Sequence, residues 1–268
     1  MITYYIDVFN PFYIMPFTLS HAVLAPPISK LSGQRLPIAA VAIGTMTPDL
    51  YRIMSKTEIL VNHQFKGLIQ PDLWVGLFFC LLWYGLYRPV IYKILAIKDD
   101  LQLDSSLAYF KFILMMCIAI IVGTCTHIIW DGLTHLDFRT LAFQSFLARP
   151  VHIFSTIYPM HRVLQIASSA IALPFLAWMT LHYYFKYKIA LTNSHLMKNT
   201  GIFILIFSSI VGCIYYIYIA KNTGFIPQSN DLYDVFGFFF KFFSQGALIC
   251  FTLLCLVFRV FIERKDLG

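Results

Sequence analysis

ILMMCIAIIVGTCTHIIWDGLTH, residues 113–135, decides the fold and points toward the function. From Ile113 to Thr126 it carries no charge, and a helix needs about 20 apolar residues to cross a bilayer. The stretch therefore reads as a membrane span. It then brings in His127, Asp131 and His135 at steps of four. Positions i and i+4 share one helix face, so His127 and Asp131 could hold one ion with no backbone movement. His135 extends that face if the helix runs a further turn, against which Gly132 weighs. Ionisable groups at membrane depth are costly and mark functional sites by default. Imidazole with carboxylate is a donor set for zinc, and also for manganese or iron. The plain alternative is that Asp131 ends the helix at the interface and His127 is a satisfied core histidine.

The rest of the chain supports the membrane reading. It has 268 residues, 59% hydrophobic and 12% charged, with mean hydropathy +0.72. Soluble domains carry about 25% charge. Five strong spans are expected at 73–95, 108–130, 163–185, 201–220 and 236–260, with two short helices at 18–31 and 36–49 ahead of them. Pro26-Pro27 interrupts the first short helix and Pro48 ends the second, because proline disfavours helix in the residue before it. The expected fold is an all-α polytopic transmembrane helical bundle of about seven helices, a single domain over 1–268. Five spans plus a re-entrant pair is the alternative. No soluble domain or internal repeat is visible.

Net charge is +7 and the sequence pI is about 9.1. The basic residues sit between apolar runs, which indicates topology and anionic-lipid contact rather than nucleic acid. Twelve of the 20 lysines and arginines, among them Lys30, Arg35, Lys98, Lys186 and Arg264, fall in the segments on the C-terminal side of the membrane. The positive-inside rule then makes the C-terminus cytoplasmic. On that topology His21, Asp49, His63, His127, Asp131 and His135 all reach the outer face. The six cysteines lie within apolar runs without CxxC spacing and read as small hydrophobes. No cleavable signal peptide is expected, since no basic n-region or cleavage site opens the chain.

Each further polar residue has a bland reading. Asp49 follows Thr47-Pro48 and could pair with Arg52. His21 in FTLSHAVLA could be a core histidine, and His63 in VNHQFKG a loop one. Arg162 and Gln165 open the third strong span. A guanidinium fork suits phosphate or carboxylate, which makes these two the substrate-binding candidates, with interfacial anchoring as the alternative for Arg162. His152 and His161 lie in the segment 131–162, expected to fold over the site; His182 and His195 fall at the opposite end. No HExxH, GxSxG, Walker loop or GxGxxG occurs.

MPFTLSH (15–21), GTMTPDLYR (44–52), His63, HIIWDGLTH (127–135) and YPMHRVLQIASS (158–169) together resemble an uncharacterised bacterial membrane family, domain of unknown function 4184. The resemblance runs over 15–185, and 186–268 reads as generic apolar sequence. Residues 1–14 precede the resemblance, and the strand-like MITYYIDVF suggests no role. That family is distantly similar to inner-membrane proteins described as metal-dependent hydrolases. Their order of histidine, Pro-Asp, histidine and His-xxx-Asp maps onto His21, Asp49, His63, His127 and Asp131, and is more remotely similar to zinc-dependent phospholipase C. The resemblance implies a bacterial inner-membrane hydrolase of an ester or phosphoester, with a divalent metal, zinc first. Asp49, Asp131 or His135 would carry protons where not ligands, and a lipid or lipid-linked substrate would fit the location. The rival is a non-catalytic transporter or structural partner whose His/Asp cluster is a polar network or ion path.

Overall fold

The computed structural model describes residues 18–54, 60–154, 156–189, 195–223 and 232–266, so the N-terminal MITYYIDVF lies outside the described residues. A 3-10 turn, Thr18–Leu24, leads into α1, Ala25–Leu31. Pro26 and Pro27 occupy the first turn of α1, where no helical N–H is required. They therefore start this helix rather than interrupt it. The helix α2 spans Ile38–Met54 and continues past Pro48, so the expectation that Pro48 ends it is corrected. The packing that allows this is also what builds the site.

A run of short helical turns, Leu60–His63, Phe65–Gly67 and Leu68–Leu73, leads to α3 (Trp74–Leu82) and, through the wide turn Trp83–Tyr87, to α4 (Arg88–Leu95). The helix α5 covers Ser106–Thr134, with Ser105 accepting from the Ala108 N–H at its start. A short helix, α6 (Gln144–Leu147), and an antiparallel hairpin, β1 (Pro150–Ile153) with β2 (Thr156–Pro159), precede α7 (Met160–Tyr187). The chain closes with α8 (His195–Thr223) and α9 (Leu232–Asp266).

Five helical stretches among the described residues are long and apolar enough to cross a membrane: Phe65–Leu95, Ser106–Thr134, Met160–Tyr187, His195–Thr223 and Val235–Phe261. The chain is an all-α membrane bundle, and the five expected spans fall within these stretches. Its core forms where α1, α2, α3 and α5 meet, around Val41, Phe79, Met116 and Ile120. The helices α8 and α9 pack chiefly on one another. Many large apolar side chains on α7 and α8 face outward, Trp178, Ile171 and Leu205 among them, as expected where lipid replaces water.

The helix α7 buries little of itself, yet it is tied at both ends. At one end Tyr183 donates to Asp99, which also meets Arg88, while Ile97 pairs with Lys188. At the other end Gln165 Nε2 donates to the Thr134 carbonyl at 2.9 Å, and the Ser20 and Ser169 hydroxyls meet at 3.2 Å.

Candidate metal centre

The site begins with a close crossing of α2 and α5. A Cβ on Gly44 would stand 2.4 Å from the Ile120 carbonyl oxygen, and one on Gly123 would stand 2.4 Å from the Val41 carbonyl oxygen. Only glycine at both positions lets the two backbones touch. Pro48 has no N–H, so the Gly44 carbonyl lacks its usual helical donor. The Thr124 hydroxyl of α5 supplies one at 3.1 Å, and the helix continues through the proline.

One turn further along α5, His127 Nδ1 lies 2.8 Å from the Thr45 carbonyl oxygen. A carbonyl only accepts, so Nδ1 carries the proton and Nε2 is left to face the site. His127 Nε2 lies 3.3 Å from Asp131 Oδ2 and has no hydrogen-bond partner among the described residues. In the neutral ring a lone pair there confronts a carboxylate, an arrangement that calls for a positive charge between them.

The remaining residues close around this pair. His21, from the Thr18–Leu24 turn, places Nε2 3.6 Å from Asp131 Oδ1, with its ring 4.3 Å from that of His127 and edge-on to Trp130. His63 Nε2 lies 3.2 Å from Asp49 Oδ1 and 3.9 Å from Asp131 Oδ2. Asp49 Oδ2 accepts from the Thr18 hydroxyl at 2.7 Å. Two triads, His21–His127–Asp131 and Asp49–His63–His127, each keep their donor atoms within 4.8 Å of one another. None of these five residues is more than 5% exposed.

His135 and the loop after it complete the wall. The helix stops at Thr134, and His135 is its extended cap, so the expected continuation of the helical face does not occur. Instead the side chain folds back. Nδ1 donates to the Asp131 carbonyl at 3.1 Å and lies 3.6 Å from Asp131 Oδ1. Burial pushes the His135 imidazole down to about 3, against the pull of Asp131. Arg139, buried beneath the loop, places Nη1 3.4 Å from Asp131 Oδ2 and grips both oxygens of Asp137 through Nε and Nη2. Burial opposes ionisation of Asp137, but the Arg139 hydrogen bonds prevail and hold its carboxyl below the ordinary range. The Leu141 N–H donates to the Gly132 carbonyl at 2.9 Å, anchoring the loop on α5. The loop from His135 to Leu141 thus folds back onto the Asp131 end of the site.

Not every candidate joins. Gln165 Nε2 donates to the Thr134 carbonyl, outside both triads. Arg162, in the first turn of α7, is partly buried and belongs to neither triad. His152 is exposed on β1, and His161 lies 3.3 Å from the Leu147 carbonyl. His182 and His195 are exposed and outside the triads. Two residues escaped the sequence reading. Arg139 looked like one more loop charge. Asp72 is fully buried, and its Pro71-Asp72 repeats the dipeptide Pro48-Asp49, a signal that could have found it.

The donor set fits a divalent cation. Three imidazoles and two carboxylates converge, and buried atoms of His21, His127 and Asp131 lack hydrogen-bond partners among the described residues. With the histidines neutral, the carboxylates of Asp49, Asp131 and Asp137 outnumber the Arg139 guanidinium that meets two of them. A divalent ion would offset negative charge of this kind.

An all-α membrane bundle with a buried His/Asp cluster able to hold a metal ion is the class these features define. Within it, the chain belongs to the family described as domain of unknown function DUF4184, whose profile matches residues 15–258. The match takes in α8 and most of α9 as well as the site. No curated protein and no solved structure matches the chain.

Proposed function

We propose that this protein is a membrane-embedded hydrolase dependent on one divalent cation, zinc first, acting on an ester or phosphoester of a lipid or lipid-linked substrate. The observation that carries the reading is His127. Its Nδ1 is committed to Thr45, its Nε2 is aimed at Asp131, and the residue belongs to both ligand triads. His21, Asp49, His63, His127 and Asp131 would hold the ion. When bound, such an ion acidifies a coordinated water and polarises the oxygen of the bond to be cleaved. Arg139 holds Asp131 through Oδ2, Thr18 fixes Asp49, and His135 closes the wall against water. Arg162 and Gln165, on the first turns of α7, would meet the substrate's polar group at the rim. The excess of basic residues in the segments on the C-terminal side of the membrane supports a cytoplasmic C-terminus, with the site near the outer leaflet of a bacterial inner membrane.

The test is elemental analysis of detergent-purified protein, wild type beside His127→Ala and Asp131→Asn, followed by hydrolysis of fluorescent phospholipids in mixed micelles. About one zinc or manganese per chain, lost in both variants, is expected. Wild-type protein that binds neither metal after reconstitution overturns the reading and leaves the cluster as a polar network or an ion path.

A further inference from the structure

The ion centre uses up the carboxylates that could have served as its base. Asp49 and Asp131 both belong to ligand triads, and each is further held, by Thr18 and by Arg139. His127 and His135 have committed their Nδ1 protons to backbone carbonyls. A general base for an ion-bound water must stand close to the water without being a ligand. One buried carboxylate in the bundle core is still unassigned.

That carboxylate is Asp72, in the turn Leu68–Leu73 just before α3. It is fully buried, and neither of its oxygens has a hydrogen-bond partner among the described residues. Asn62, next to the ligand His63 and also buried, likewise has both amide atoms without partners. The Leu68–Leu73 turn packs on α2, on α5 and on the Leu60–His63 turn that carries Asn62. Gly76 gives the direction. About one turn along from Asp72, a Cβ there would stand 2.4 Å from the Ile120 side chain and 3.2 Å from Thr47 Oγ1, so this face turns toward the α2–α5 seam. Asp72 joins neither set of donors lying within 4.8 Å. It sits on a turn packed against the elements that carry the centre, without being one of its ligands.

Resting on the metal-dependent reading above, we propose that Asp72 positions the water that completes the cation's coordination and takes up that water's proton. One O–H bond of the water breaks as one forms on an Asp72 oxygen. The electron pair stays on the water oxygen, the atom that attacks the ester. A buried carboxylate left without a partner is costly, and a hydrogen bond to this water offsets that cost. Neighbouring elements bring Asp49, Tyr51 and Arg52 from α2, His63 from its turn, Cys80 from α3, and Tyr109, Lys111, Cys117, Cys125, His127 and Asp131 from α5, while Lys66 is exposed. Both carboxylates among these are counted as ligands, and Asp72 is not.

Cobalt substitution tests this without any substrate. The visible absorption of the cobalt-loaded full-length protein is followed against pH, wild type beside Asp72→Asn. The wild type should show one spectral step as the water ionises. The variant should bind the same amount of cobalt, with the step moved by about one pH unit or more, or lost. Full cobalt binding with an unmoved step overturns the assignment, as does a wild type that binds cobalt but shows no step. A wild type that binds no cobalt overturns the metal reading itself, and this proposal with it. If Asp72→Asn does not fold, the smaller Asp72→Ser gives the same readout.

Discussion

The Nδ1–H of His127 donates to the Thr45 carbonyl oxygen across 2.8 Å, so α2 determines which ring nitrogen of an α5 histidine faces the site. The bond needs the two backbones nearly in contact, which Gly44 and Gly123 permit. Residues with no ionisable group therefore set the geometry of those that have one.

Gly123→Ala places a methyl 2.4 Å from the Val41 carbonyl oxygen. Overpacking of this kind costs roughly 1–3 kcal/mol, and the site should loosen with it. Thermal unfolding in detergent should show a Tm several degrees lower and reduced metal content. Gly85→Ala meets nothing within 4 Å and should leave both unchanged.

Pro48→Ala restores an N–H that competes with Thr124 for the Gly44 carbonyl. The helix should persist, with unchanged far-UV circular dichroism, since alanine favours helix more than proline by about 3 kcal/mol. The register of Asp49 against His63 should suffer, weakening zinc binding about tenfold or more by competition titration, a loss of about 1.4 kcal/mol. Unchanged affinity would show that the proline does not position the site.

Hydropathy made the five spans legible, and the ionisable residues stood out because they interrupt apolar sequence. What escaped depends on contacts distant in the chain. Pro48 looked like a helix end because its local preference is real, and nothing nearby in sequence announces that Thr124 will support the carbonyl it leaves free. His135 looked like a helical continuation because the spacing of four persists across the point where the helix stops. Arg139 was counted as a topological charge because its burial comes from a loop folding back onto Asp131. Asp72 was lost at a boundary, one residue before the expected start of a span at 73.

The His135 imidazole titrates at about 3 in the fold against 6.5 when unfolded. Between these values the unfolded chain binds more protons, so stability falls as pH falls, by up to about 1.4 kcal/mol per unit from this residue. The stability that neutral His135 contributes is present above pH 6.5 and is lost as pH drops toward 3. His135→Asn should show a shallower decline than wild type across that window, measured by chemical unfolding in detergent. Parallel curves would refute this.

Arg139→Gln removes the guanidinium that offsets Asp131 and Asp137. Breaking a buried ion pair from one side costs about 3–5 kcal/mol, so metal-free protein should melt well below wild type. A divalent ion can replace much of the lost charge. Saturating zinc should therefore raise the Tm of the variant more than that of wild type. An equal rise in both would place the ion away from Asp131.

The ties at both ends of α7 give this helix a mechanical character. Held near the site by Gln165 and Ser169 and at the far end by Tyr183 and Lys188, it acts as a strut braced at two points, with its span left to the lipid. Its outward side chains, Ile171, Phe175 and Trp178, are then free to drift with bilayer thickness and composition without disturbing the distances inside. The same bracing offers a place for a bulky reporter on the lipid side of α7, well removed from the chemistry.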